Sequence, residues 1–178
     1  MNYKTGAIQW RGKMHHVTVA HAEHATHIGI HHTMLEHKTL GVAEVLDVHL
    51  LTPARARTHF TYTIEASRAL QIQVYEESTV TGTTKNSRSR NLIVDNAKGP
   101  VVLTIDGVVT DEGVLKADTI VGSVGATPFS GQGGTDSSDE FVFPENFTLR
   151  FKCTSLEADN NVKVRMNFII EPMLEGET

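Results

Sequence analysis

All ten histidines of this chain fall between His15 and His59, and six of them, His21, His24, His27, His31, His32 and His37, crowd the stretch HAEHATHIGIHHTMLEHK. Imidazoles ligate transition metals and exchange protons near neutral pH, so chemistry would be sought here first. On a helix, His24, His27 and His31 would share a face at spacings of three and four, close to what a metal site uses, with Glu23 or Glu36 as carboxylate partners. On a strand that ordering breaks down. The sequence has no HExxH, no paired HxH and no cysteine at ligand spacing, so the metal reading lacks the second feature it needs. The other reading is a polar arm whose imidazoles hydrogen-bond to a partner or to water and become cationic below about pH 6. We take residues 1–38 as such an extended His-rich arm, with no metal and no cofactor, leading into a domain over 39–178.

Few other residues invite chemistry. Trp10 stands alone in a polar segment and suits either a cap on a core or an anchor in a partner's pocket. Cys153 has no second cysteine to pair with and sits between Phe151 and Leu156, the setting of a buried structural thiol. The glycine-rich run GSVGATPFSGQGGTDSSDE, residues 122–140, has no lysine after its glycines and no helix pattern behind it, so it reads as a surface loop and not a phosphate cradle. No nucleophile, base and orienting acid can be grouped, which points away from an enzyme.

The elements that must position these residues come from alternation. Phe60, Tyr62 and Ile64 alternate with Thr61, Thr63 and Glu65, and Leu70, Ile72 and Val74 alternate with Gln71, Gln73 and Tyr75. Both are half-buried strands, and the short link Ala66 to Ala69 predicts a hairpin between them. Thr79 to Arg90 shows no apolar period and reads as a long exposed loop. Short strands are also expected at Ala7 to Trp10, His16 to Ala20, Gly41 to Leu51, Asn91 to Asp95, Pro100 to Ile105 and Gly113 to Val121, with turns at Asp106-Gly107 and Asp111-Glu112-Gly113. The last third alternates strongly again: Phe147, Leu149 and Phe151, then Val162, Val164, Met166, Phe168 and Ile170, joined by the hairpin-like EADNN. Register could align Arg150, Lys152, Lys163 and Arg165 as one basic face.

At 178 residues there is room for one well-buried domain. Eight or so short strands with turns about every ten residues give an all-β fold, an antiparallel β-sandwich of jelly-roll type with the N-terminal arm outside it. A net charge of -5 disfavours nucleic acid and anionic membranes as partners. No apolar run approaches the ~18 residues that span a bilayer, and the first residues show no signal-type apolar core, so synthesis in the cytoplasm is expected.

From Tyr75 to Asn91, YEESTVTGTTKNSRSRN resembles a segment of tailed-bacteriophage head proteins described as capsid decoration, cement or stabilisation proteins. In that family a strand end with a Tyr-Glu pair precedes a Thr, Gly and Thr pattern and an Asn/Arg-rich loop, positions taken here by Tyr75, Glu76, Thr79, Gly82, Thr83, Asn86, Arg88 and Arg90. Glu23, His24, His27 and Gly29 resemble the family's arm, and Thr52-Pro53 with His59 resembles the strand leading onward. The later elements follow in the same order, although Glu77 stands where the family has glycine and the chain lacks the family's aromatic-rich ending. The resemblance implies a protein of the virion surface that docks on an assembled head, made in the host cytoplasm, with the major capsid protein as partner and self-association as a dimer or trimer. It implies Trp10, His24, His27, His31, Arg88 and Arg90 as partner-binding residues. Two other classes remain: a tail-associated or carbohydrate-binding sandwich, which would need an exposed aromatic platform, and a His-metal enzyme, which would retain zinc or iron.

Overall fold

The computed structural model describes residues 30–89, 99–122 and 141–172, and, as backbone alone, the strands Tyr3–Trp10 (β1) and Lys13–Ala20 (β2). These two pair antiparallel from Tyr3 opposite Ala20 to Trp10 opposite Lys13, a ribbon that makes its own two-stranded sheet. Thirteen further strands follow: β3 His31–Leu40, β4 Val45–Leu51, β5 Ala56–Ala66, β6 Leu70–Glu76, β7 Thr79–Thr81, β8 Thr84–Asn86, β9 Arg88–Ser89, β10 Val102–Ile105, β11 Val108–Asp111, β12 Val114–Val121, β13 Phe141–Phe143, β14 Thr148–Ser155 and β15 Asn160–Pro172. No helix occurs among the described residues.

Two sheets make an antiparallel sandwich, one in the order β13-β5-β15-β3-β9 and the other β12-β6-β14-β4-β10-β8. Alternation builds both inner faces. In β15 the core-facing residues are Val162, Val164, Met166, Phe168 and Ile170, and in β14 they include Leu149, Phe151 and Cys153. The two faces meet where Phe151 of one sheet approaches Tyr62 and Phe60 of the other, with ring centroids 4.8 and 6.1 Å apart.

The strands were legible, but the pairing of neighbours was not. β5 and β6 are not a hairpin: β5 pairs with β15 and β13, while β6 pairs with β14 and β12. Two half-buried strands bury more apolar surface facing each other across an interior than lying side by side, and the link Ser67–Ala69 crosses between the sheets. EADNN likewise carries β14 to β15 in the opposite sheet. Asn160, fully buried, ties both crossings together: its side chain accepts from the Arg68 amide at 2.9 Å and donates to the Ala69 carbonyl and Ser155 Oγ, each at 3.1 Å. Asp106-Gly107 is a turn, with Asp106 at φ 49°, but it leads from β10 in the six-stranded sheet to β11, whose partner is β7 in a separate two-stranded ribbon.

Four more expectations change. The boundary at residue 38 falls inside β3, which lies between β15 and β9 with Met34 and Leu40 in the core, so the sandwich starts earlier than 39. Of the loop expected at Thr79 to Arg90, the described part, through Ser89, is largely strand, because β7, β8 and β9 find partners in β11, β10 and β3; the side chains of β7 and β8 are almost all exposed and carry no apolar period. Gly41–Glu44 is a turn ahead of β4, with Ala43 at φ 61°. The expected basic face divides, since Arg150 and Lys152 lie on one sheet and Lys163 and Arg165 on the other. The expected strand at Asn91 to Asp95 and nearly all of the glycine-rich run lie outside the described residues.

Candidate functional site

Three clusters of polar side chains can be built upward from the strands. The first is the outer face of the five-stranded sheet. The residues of β15 between its core positions, Lys163, Arg165, Asn167 and Ile169, point outward, and the register sets His37, Leu35, Thr33 and His31 of β3 beside them in turn. Arg88 of β9 stands opposite Thr33. On the other side lie Glu65, Thr63, Thr61 and His59 of β5. Lys163 pairs with Glu65 at 3.0 Å, and His59 Nε2 lies 3.3 Å from Glu171. Arg165 is exposed in the middle strand, with exposed Leu35 beside it. The face is flat, polar and on balance basic, although the chain as a whole is acidic.

The second cluster is buried on the outer side of the other sheet. Asp47 and His49 of β4, Tyr75 of β6 and Arg150 of β14 all point away from the core, yet Arg150 is only 2% exposed. The ends of the β7–β11 ribbon lie over them. Arg150 donates from Nε to both Asp47 oxygens at 3.1 and 2.8 Å, Nη2 pairs with Asp47 at 2.7 Å, and Nη1 reaches Glu112. The guanidinium carbon sits 5.1 Å from the centre of the Tyr75 ring. Burial opposes the charge of Arg150, but the hydrogen bonds to Asp47 and Glu112 outweigh it and raise its pKa. Burial lowers the pKa of His49, an effect partly offset by the Ser78 carbonyl 3.1 Å from its Nε2. Ser78 Oγ donates to the Glu112 carbonyl at 2.6 Å, and Gly113, at φ 75°, lies where a Cβ would strike the Glu76 carbonyl. Chemically this is an ion network that clasps the ribbon to the sheet.

The third is small. His32 Nδ1 and Ser87 Oγ, both buried, have no hydrogen-bond partner among the described residues, and each would be overlapped by a Cβ added at Gly99. Burial lowers the pKa of His32.

Of the residues singled out in the sequence, His31 opens β3 and is buried on the outer side of its sheet, held by contacts rather than standing on an open surface. Arg88 is exposed on the same face, so the fold brings these two together. Trp10 is the last residue of β1. His24, His27 and Arg90 lie outside the described residues. The helical spacing that joined His31 to His24 and His27 does not apply, because His31 is in a strand. No group of three or more His, Cys, Asp or Glu side chains able to hold a metal occurs among the described residues. Burial pushes the Cys153 thiol up to about 12, as befits a core residue.

Sequence reading missed the Asp47, Arg150 and Glu112 network. The signal was there in part, since Asp47 and His49 interrupt an apolar run, but their partner lies 103 residues away on β14. No protein-family model, curated protein or solved structure matches the chain.

Proposed function

We propose that this chain is a structural protein of a virion: a jelly-roll sandwich that binds the outer surface of an assembled capsid and stabilises it by bridging major capsid proteins. The observation that carries the reading is the nesting of the strands. β15 lies between β3 and β5, β14 lies between β4 and β6, β12 flanks β6, and β13 flanks β5, so that successive strands of this set alternate between the sheets except at β6 and β12, which lie side by side in one sheet. That order supports the reading as an eight-stranded jelly roll, an architecture common in viral capsid proteins and also in lectins. Such interlocking makes a stiff body, because the central strands β14 and β15 are paired on both sides and pack against each other's sheet through the core.

The partner contact falls on the outer face of the five-stranded sheet. Arg88 and Arg165 supply planar donors for carboxylates on a partner, flanked by threonines and asparagine that hydrogen-bond without bulk. Modest contacts of this kind become effective when repeated over a lattice. Co-sedimentation of purified protein with undecorated heads tests the reading. Saturable, stoichiometric attachment that protects heads against heat is expected, weakened by Arg88→Glu with Arg165→Glu. Absence of attachment overturns it. Retention on a glycan array with no attachment to heads would replace it with the lectin alternative.

A further inference from the structure

Eight large hydrophobic side chains are exposed among the described residues, and five of them, Val114, Leu115, Ile120, Phe141 and Val142, belong to β12 and β13. Those strands end their respective sheets beside β6 and β5. Because the short link Ser67–Ala69 sets β6 over β5, and the next crossings set β14 over β15 and β4 over β3, β12 and β13 lie on the same flank of the sandwich. There, among the described residues, no further strand lies beyond them. Phe141 faces inward against Tyr62, with ring centroids 6.4 Å apart, yet remains 43% exposed. β12 adds an eight-residue edge whose outer row of backbone N–H and C=O groups has no strand beside it in the sheet.

We infer that this flank is the interface with a second copy of the chain, the two β12 edges lying antiparallel about a twofold axis through Ala117. Its charges favour itself. Lys116 and Asp118 stand on either side of Ala117, so the axis brings Lys116 of each copy against Asp118 of the other, while Leu115 and Ile120, opposite Tyr75 and Gln71 of β6, share the outer face and come near each other across the junction. Within one chain both charges are already partly met, Lys116 by Glu76 at 2.8 Å and Asp118 by Gln71 and Gln73 at 2.8 and 3.0 Å. The flank therefore has little net charge to offer a strongly charged partner, while the ammonium keeps further donors for a carboxylate. The register of β12 to β6 shifts between Leu115 and Ala117, and a bulge of this kind turns the extra side chain, Lys116, out of strict alternation. Apolar residues at both ends, and opposite charges near the centre, make the surface self-complementary, as an isologous contact requires.

The inference does not depend on the capsid reading and is tested without heads. Sedimentation equilibrium of the full chain should give twice the mass of one chain at micromolar concentration. Ile120→Lys should give a single-chain mass with unchanged circular dichroism and thermal midpoint, since Ile120 is 60% exposed. Lys116→Asp alone should weaken self-association by about tenfold or more by setting like charges together. The exchange Lys116→Asp with Asp118→Lys should restore it. A monomeric wild-type chain overturns the inference, as does an oligomer that survives Ile120→Lys, or an exchange that fails to restore association. A monomer whose attachment to undecorated heads is lost on Ile120→Lys also overturns it and assigns the flank to the capsid.

Discussion

Arg150 shows how a single side chain can be costly to place and costlier to remove. Burying a guanidinium is tolerated because Asp47 receives three of its contacts and Glu112 another. Arg150→Met leaves Asp47 buried without its counterion and should destabilise the fold by about 3–5 kcal/mol, read from chemical denaturation. Glu112→Gln should cost about 1 kcal/mol or less, because the Glu112 side chain is 57% exposed. A comparable loss in the two variants would show that the ribbon clasp, and not the buried pair, carries the energy. Two of the buried imidazoles, those of His32 and His49, act in another direction. Burial lowers the pKa of both His32 and His49 below the ordinary 6.5, so the folded chain keeps them neutral where the unfolded chain protonates them. The unfolded state then binds more protons, and stability falls as pH drops below about 6.5. Unfolding midpoints between pH 7.5 and about 5 should decline, and His32→Gln with His49→Gln should flatten that decline. A slope unchanged by both substitutions would place the proton uptake elsewhere.

At the scale of the strands, alternation was a reliable guide to existence and a poor one to partnership. Val162 to Ile170 and Leu70 to Val74 announced themselves because each has one face in the core. β12 was found from its β-branched residues and from Gly113 before it, although its positions are almost all exposed. β7 and β8 were missed because almost all of their side chains are exposed, and β9 because only two residues form it, so no apolar period was written into Thr79 to Ser89. The hairpins expected at Ala66 to Ala69 and at EADNN failed for a different reason. A short link is as compatible with a crossing between sheets as with a tight turn, and the deciding residue, Asn160, serves both crossings at once from outside the first link. Asn160→Ala removes the partner of the Arg68 amide inside a closed corner, and one of two donors to the Ala69 carbonyl, which keeps the Leu156 amide. It should cost about 1–3 kcal/mol for each group left unsatisfied, and it should raise amide exchange at Arg68 before exchange in β15. Uniform exchange across both would mean that the corner does not open by itself.

For the whole molecule, the placing of β3 decides what can be cut away. The sequence suggested an arm through Lys38, because histidines and charged residues there hide the alternation of His32, Met34 and Leu40. In the fold β3 hydrogen-bonds to β15 along ten residues and carries β9 on its other side. Deleting residues 1–38 would strip the middle strand β15 of one neighbour, detach β9, and remove Met34 from the core. The result should be an insoluble chain, or one without a cooperative unfolding transition, because an uncovered β15 is a long edge ready to pair with other chains. Deleting residues 1–29 leaves all thirteen strands from β3 onward in the chain and should yield a soluble protein with a cooperative transition. Comparing the shorter deletion with the full chain for attachment to undecorated heads then isolates the leading segment. Lost attachment by a cooperatively folded 1–29 deletion assigns capsid contact to that segment, and full attachment assigns it to the outer face that carries Arg88 and Arg165.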